Sequence, residues 1–383
     1  MNATPAAQRT PPTGLSAAIT KPDRGLAALT VGMTVVAALT RLLGGVPAFV
    51  AAALALALLA AAVGRAVDAL GDRVSPAATG ILQSALGNLP ELLILVFALK
   101  AGLTTVVQAT LVGSILANVA LVLGIAFVTG GLKHGTQRFS GVAARELGLN
   151  LLLAVAALAL PSVTALLHAP AAPHERALSV ITSIVLLVAF GLSLLHTFRP
   201  AGAAAQDDSV DAKPARGAGA APVAAADEGV PWPLWLAVAV LAGTGVLAAL
   251  VSDWFVAALT PAMSALHISD AFAGLVIVAI AGNAVENFVG IQLALKNNME
   301  TALQVVLQSP VQIAMFVAPV VLLSAPLLGA GAFTLVLPPL LLVSLLLSAV
   351  LAVFITLDGE STWYEGAVLI AIYALIATCF WWG

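Results

Sequence analysis

Long apolar runs are the sequence feature that most constrains this chain. Runs of about 18 or more apolar residues are long enough to cross the roughly 30 Å hydrocarbon core of a bilayer as helices, and such runs recur along the whole chain. Only 9% of the 383 residues are charged and 61% are hydrophobic, whereas soluble domains carry roughly a quarter charged residues. The composition therefore excludes a soluble enzyme and predicts an all-α integral membrane protein.

The apolar runs predict eleven transmembrane spans. The segment 253–267 is less apolar and is interrupted by Pro261, so it is interpreted as an external loop with a short interfacial helix; a twelfth membrane element remains the alternative. The predicted spans are 25–43, 46–64, 76–99, 104–130, 143–166, 177–198, 232–251, 270–295, 301–325, 332–357 and 363–382.

The distribution of positive charge predicts the orientation. With the N-terminus in the cytoplasm, 12 of the 15 Lys and Arg residues fall on the cytoplasmic side, and only Arg41, Lys100 and Arg176 fall outside. This excess follows the positive-inside rule. The C-terminus is then expected outside. The Ala-rich composition and the lack of an evident targeting signal favour a bacterial cytoplasmic membrane.

Polar stretches divide the chain into five parts. A cytoplasmic tail is expected over 1–24 and a peripheral transmembrane helix over 25–45. Two five-helix units follow, over 46–199 and 231–383. They are separated by a polar segment, 200–230, whose Ala, Gly, Pro and charged residues are typical of a disordered cytoplasmic linker.

A duplicated motif, G-N-x-x-E, lies inside two of the spans. It begins at Gly87 and ends at Glu91 in the first copy, and it ends at Glu286 in the second, 195 positions later. Ser114 and Ser309 are related by the same offset. The orientation places the two motif helices in opposite directions, which predicts two inverted repeats with a site near the midplane, as is typical of secondary transporters.

The two glutamates define the expected chemistry of this site. A glutamate in hydrocarbon has to be protonated, paired or hydrated, and neither motif helix offers a Lys or Arg at mid-depth. Two carboxylates suit a hard divalent cation such as calcium, which takes 6–8 oxygen ligands. An empty pair must hold protons, because two like charges at close range cannot both ionise. Either the cation or protons neutralise Glu91 and Glu286, which is the requirement for antiport.

Neighbouring polar residues are expected to assist the glutamates, although a lone Asn, Ser or Gln in a membrane helix more often joins helices than binds a ligand. The expected supporting ligands are Asn88, Asn283, Ser114, Asn118, Ser309, Gln308 and Gln312. Helix breaks, which free backbone carbonyls for an ion, are expected at Gly87, Pro90 and Gly282.

At these residues the sequence resembles the calcium/proton exchangers of the calcium/cation antiporter superfamily. The first repeat, GNLPELLILVFALKAGLTTVVQATLVGSILAN, and the second, GNAVENFVGIQLALKNNMETALQVVLQSPVQIAMFVAP, carry the resemblance. It implies ten core helices around a midplane site plus one peripheral helix, with Glu91 and Glu286 carrying calcium or protons. It also implies alternating access by sliding of the helices near 46–64 and 232–251.

The sequence departs from the family pattern at two places. Many members have His after the second Glu, where this chain has Asn287 and so lacks one titratable group, and many carry a strongly acidic helix where this chain has its diluted linker, so a calcium-sensing linker is not expected. Relatives of this family can also carry sodium or potassium against protons, so a sodium or potassium/proton antiporter is an alternative, and a passive cation channel is disfavoured by the duplication. We expect no cofactor, no nucleotide and no nucleic acid; the expected partners are the lipid bilayer, calcium ions and protons.

Overall fold

The computed structural model describes residues 19–71, 86–197 and 232–382. The predicted linker over 200–230 and most of the predicted tail over 1–24 lie outside these residues. The described helices are α1 (Lys21–Thr40), α2 (Gly45–Gly71), α3 (Leu89–Lys100), α4 (Thr104–His134), α5 (Gly141–Leu166), α6 (Glu175–Thr197), α7 (Leu234–Leu266), α8 (Asp270–Gly282), α9 (Ala284–Leu295), α10 (Met299–Leu328), α11 (Pro339–Thr356) and α12 (Trp363–Trp381). Two short strands, β1 (Gln137–Arg138) and β2 (Glu360–Ser361), pair in antiparallel fashion.

The helices confirm the prediction of an all-helical, multi-pass membrane protein. Within the described part of the chain, 9 helices are long and apolar enough to cross a membrane, or 10 if the bent pair α8 and α9 forms one span. The predicted span 76–99 falls partly outside the described residues, which contain its second half as α3. Large side chains such as Val35 and Leu153 remain exposed, as expected for surfaces that face lipid.

The peripheral helix starts at Lys21, four residues before its predicted beginning. Thr20 is its N-cap: the Thr20 side chain accepts a hydrogen bond from the backbone N–H of Asp23, and the Asp23 side chain accepts one from the backbone N–H of Thr20. This reciprocal capping box satisfies two backbone donors at the helix start. Pro22 lies in the first turn, where proline is tolerated.

The predicted external loop over 253–267 is wrong, because α7 continues as one helix of 33 residues to Leu266. Phe255 and Leu259 are fully buried in the core, and the helix continues through the interior Pro261. The helix ends at His267, whose φ of 54° is left-handed. The polar residues of this segment suggested a loop, but its buried apolar side chains belong to the continuing helix.

The predicted span over 332–357 is also corrected, because α11 begins only at Pro339. The residue before a proline is disfavoured in the helical conformation, and the pair Pro338–Pro339 therefore sets a helix boundary. Residues 333–338 precede α11 without regular structure. Several of their side chains are buried in the core, such as Leu335.

Side chains from other helices satisfy the backbone of this non-helical segment. Ser162 Oγ accepts a hydrogen bond from the backbone N–H of Leu337 at 2.8 Å and donates one to the carbonyl of Leu335 at 3.2 Å. Ser179 Oγ accepts from a second N–H at 3.1 Å. Gln108 Nε2 donates to two further carbonyls, both at 3.0 Å. Irregular backbone at membrane depth is tolerated only where such partners exist.

Two glycines bring the backbones of α4 and α8 into direct contact. A Cβ at Gly113 would lie 2.5 Å from Leu275 Cα, and a Cβ at Gly274 would lie 2.5 Å from Val106 O. Neither position has room for a side chain, so the two helices approach as closely as small residues allow. This contact places α8 beside the part of α4 that carries Ser114.

We expect Gly113→Ala to destabilise the purified protein, because the added methyl group would overlap the backbone of α8. Overpacking of this kind costs about 1–3 kcal/mol, which predicts a lower thermal unfolding midpoint in detergent. Gly191→Ala on α6 is the matched control, because a Cβ there meets nothing within 4 Å. Equal midpoints for the two variants would contradict the close contact between α4 and α8.

Candidate functional site

Each motif helix is interrupted at its asparagine. Asn88 forms a turn just before α3, and Asn283 separates α8 from α9, which meet at a bend of 64°. Pro90 lies in the first turn of α3, where backbone N–H groups have no partner within the helix, so its lack of an N–H removes no helical hydrogen bond. Gly282 lies at the second break, and a Cβ there would be 3.5 Å from both Cβ and Cγ of Glu91. The second break is therefore packed directly against the first glutamate.

Glu91 is the buried centre of the site. It lies in the first turn of α3 with only 1% of its surface exposed, where the helix macrodipole favours a negative charge. Its Oε1 accepts a hydrogen bond from Ser114 Oγ and a second, at 3.4 Å, from Asn283 Nδ2. Its Oε2 is buried and has no hydrogen-bond partner among the described residues.

A network of buried side chains connects the two halves of the chain around Glu91. Asn283 Nδ2 donates to Ser114 Oγ at 2.9 Å, and Ser309 Oγ donates to Asn283 Oδ1 at 3.3 Å. Asn118 Nδ2 donates to the backbone carbonyl of Ser114 at 2.9 Å and to Ser309 Oγ at 3.5 Å. These predicted site residues therefore meet in one place, although they belong to four different helical segments.

The two remaining amides form a second bridge between the halves. Asn88 Nδ2 donates to Gln312 Oε1 at 2.7 Å, and both side chains are buried. Gln308, one turn earlier on α10, is partly exposed and is not joined to this network within the described ranges. The structure thus brings together every predicted supporting residue except Gln308.

Glu286 has different surroundings from its counterpart. It lies in the first turn of α9, three residues after Asn283, which donates to Glu91, and it is partly exposed. The two motif glutamates therefore lie on neighbouring segments and differ in how deeply they are buried. The described residues hold no cluster of three or more His, Cys, Asp or Glu side chains, so a cation bound here would combine two carboxylates with neutral oxygens.

Sequence reasoning missed the π-helical turns beside the site. One spans Ala117–Val122 and contains Asn118, and a second spans Ile313–Val317 and follows Gln312 directly. A third spans Ala273–Val278 in α8. A π turn adds a residue to the helical repeat and is frequent at functional sites. No composition or spacing signal in these apolar segments indicated the wider turns.

A group of polar side chains that holds the far end of α9 was also missed. Lys133 Nζ donates to the carbonyl of Leu295 at 2.9 Å, and His134 Nε2 lies 2.9 Å from the same oxygen. Gln137 Nε2 donates to the carbonyl of Ala294 at 3.0 Å. These contacts satisfy carbonyls at the C-terminus of α9 and fix the helix that carries Glu286.

Comparison with known proteins finds similarity over nearly the whole chain. The family model described as "Sodium/calcium exchanger protein" matches residues 44–199 and 236–382. A protein of Aphanothece halophytica named Ca(2+)/H(+) antiporter is 33% identical over 335 residues, which cover 87% of this chain and 89% of that protein. A Synechocystis protein of the same name is 34% identical over 345 residues, covering 88% of this chain and 91% of that protein. The solved structure of native YfkE has a TM-score of 0.76 at 29% identity, covering 93% of this chain and 99% of that one.

We expect Ser114→Ala to lower the thermal unfolding midpoint in detergent, because it leaves the buried Glu91 Oε1 with only the long hydrogen bond from Asn283. Such a loss costs about 1–3 kcal/mol. Ser183→Ala is the matched control, because the Ser183 hydroxyl is equally buried but has no partner among the described residues. An unchanged midpoint in Ser114→Ala would contradict the bond to Glu91.

Proposed function

Because this chain belongs to the sodium/calcium exchanger protein family, we propose that it is a secondary active antiporter that exports calcium in exchange for protons. Family membership agrees with the resemblance carried by the two motifs. The choice of calcium and protons is supported by the names of the similar proteins from Aphanothece and Synechocystis. The proposed location is a bacterial cytoplasmic membrane, with the N-terminus inside.

The buried Glu91 carboxylate beside Glu286 is the observation that carries this proposal. Neither glutamate belongs to an ion pair between described residues, so no side-chain cation neutralises the pair there. A bound cation or protons would supply the missing positive charge. Because each excludes the other, release of calcium requires uptake of protons, and this coupling makes the protein an exchanger.

The oxygens around Glu91 support calcium as the substrate. Calcium prefers carboxylate and carbonyl oxygens and takes 6–8 of them. Glu91 Oε2 and Asn118 Oδ1 are buried acceptors without a hydrogen-bond partner in the described structure. We assign the cation to Glu91 and Glu286, with Asn118 as a further ligand and with Asn88, Asn283, Ser114, Ser309 and Gln312 holding the site in place.

Access from the two sides is proposed to alternate by sliding of α2 and α7 over the remaining helices. One contact of α7 with the site helix α3 is apolar: a Cβ at Gly245 would lie 3.7 Å from Leu89 Cδ2. An apolar contact of this kind has no directional bond that sliding would break, and small shear movements of packed helices are a common way to close a site. The two five-helix units are proposed to be inverted repeats.

Proton release on calcium uptake tests this function directly. Purified protein is placed in liposomes with an acid interior and a pH dye, and calcium is added outside. We expect alkalinisation inside with the unmodified protein and none with Glu91→Gln or Glu286→Gln, because each glutamine mimics a permanently protonated carboxyl group. Glu146→Gln, which changes an exposed glutamate of α5, is the matched control and should exchange normally.

Sodium and potassium, added separately, distinguish the ions. A response to sodium or potassium alone would overturn calcium as the substrate and leave the carboxylate mechanism in place. Normal calcium-driven alkalinisation in either glutamine variant would refute the assignment of that glutamate. No response to any of the three cations would overturn the proposed function.

A further inference from the structure

A carboxylate near the start of α1 joins the two helices that are proposed to slide. Asp23 Oδ1 accepts a hydrogen bond from Arg65 Nε at 2.8 Å, and Asp23 Oδ2 accepts one from Trp232 Nε1 at 3.3 Å. The Arg65 guanidinium also lies over the Trp232 ring, 5.3 Å from its centroid. Arg65 belongs to α2, and Trp232 immediately precedes α7. A single buried carboxylate of α1 thus holds one end of both helices.

The opposite ends of the same helices are joined by aromatic contacts. The guanidinium of Arg41, the C-cap residue of α1, lies 5.5 Å from the centroid of the Trp254 ring on α7. Phe49 of α2 stacks on Phe255 of α7 with ring centroids 4.7 Å apart. Cation–π and stacked aromatic contacts both depend on geometry, so they fix the relative positions of these helices along their length.

A third connection lies between the two ends of α1. Thr30 Oγ1 donates to the backbone carbonyl of Leu58 on α2 at 3.4 Å, besides its bond within α1. The three helices α1, α2 and α7 are therefore joined at both ends and in between. Their polar connections contrast with the apolar contact of Gly245 against Leu89, where α7 meets the site helix.

We propose that Asp23 is a positioning residue that makes α1, α2 and α7 move as one body during transport. This inference rests on the proposed function, because it requires α2 and α7 to slide. The N-terminal helix is then part of the moving unit rather than a passive neighbour of the exchanger. Asp23 contacts neither the proposed cation site nor Glu91. It acts by keeping Arg65 and Trp232 together while α7 slides past Leu89 of α3.

Chemical linkage within this body and across its boundary tests the proposal. In a Cys379→Ser background, which removes the exposed native thiol, Arg41→Cys and Trp254→Cys are joined by a cleavable bifunctional thiol reagent in liposomes. Linked protein should keep calcium-driven proton flux close to its rate before linkage. Thr30→Cys with Leu58→Cys provides a second internal pair.

Leu89→Cys with Gly245→Cys links α7 to the site helix across the boundary and should lose flux by about tenfold or more, since a blocked conformational step limits turnover.

The outcomes separate this inference from the function on which it rests. Loss of flux on linking either internal pair, reversed when the linker is cleaved, would show that α1 moves against α2 or α7 and would overturn the proposal. Undiminished flux after linkage of the Leu89 and Gly245 positions would overturn it as well, because no sliding would occur at that boundary. Absence of calcium-driven flux even before linkage, in the unmodified protein, would refute the proposed exchange itself.

Substitution of the carboxylate gives a second measurement. Asp23→Asn retains an acceptor oxygen but loses the charge that holds Arg65. We expect a lower maximal rate with an unchanged calcium KM, because the cation site is untouched, and recovery of the rate in Asp23→Glu. Asp253→Asn, an exposed acid on α7, is the control and should leave both parameters unchanged. A changed KM with a normal rate in Asp23→Asn would refute a positioning role.

Discussion

A buried carboxylate needs donors or a neutralising charge, and Glu91 imposes this requirement on the rest of the structure. Its donors, Ser114 and Asn283, lie 23 and 192 residues away along the chain. Asn283 reaches it because the motif helix breaks there, and because α4 and α8 meet through Gly113 and Gly274 with no side chain between them. The small residues and the helix break are therefore as necessary to the site as the polar groups themselves.

The same requirement governs the backbone. Breaking a helix in a membrane leaves N–H and carbonyl groups that water cannot reach, so each must find a partner inside the protein. Asn283 Nδ2 bonds the carbonyl of Ala279 in the preceding turn at 2.9 Å, and Gln108, Ser162 and Ser179 do the equivalent for residues 333–338. Polar side chains in these helices thus serve two purposes: some satisfy the backbone at a break, and those around Glu91 also bond a carboxylate.

The duplicated motif and its polar neighbours predicted most of the buried polar residues that bond to one another around Glu91, but not how they pair. Equal spacing in the two halves indicated that Ser114 and Ser309 are equivalent, yet nothing in the spacing indicated that Asn88 would bond Gln312 while Asn283 would bond Ser114. Such pairings depend on contacts between distant helices. The misjudged boundaries have the same origin, since the end of α7 and the start of α11 follow from burial and from partners on other helices rather than from local composition.

The unlike partners of the equivalent residues fit the proposed exchange. The proposed inverted repeats would allow two arrangements, one with Glu91 held by Ser114 and one with Glu286 held by Ser309. Such a pair would let the proposed transporter offer the ion to each side in turn, which a single rigid arrangement could not do. The first arrangement is the one described here: Glu91 is buried and bonded, and Glu286 is partly exposed. Interconversion would replace the hydrogen bonds of one arrangement with equivalent ones in the other, so the two arrangements would have similar free energies. An ion or proton gradient of modest size would then be sufficient to drive the cycle.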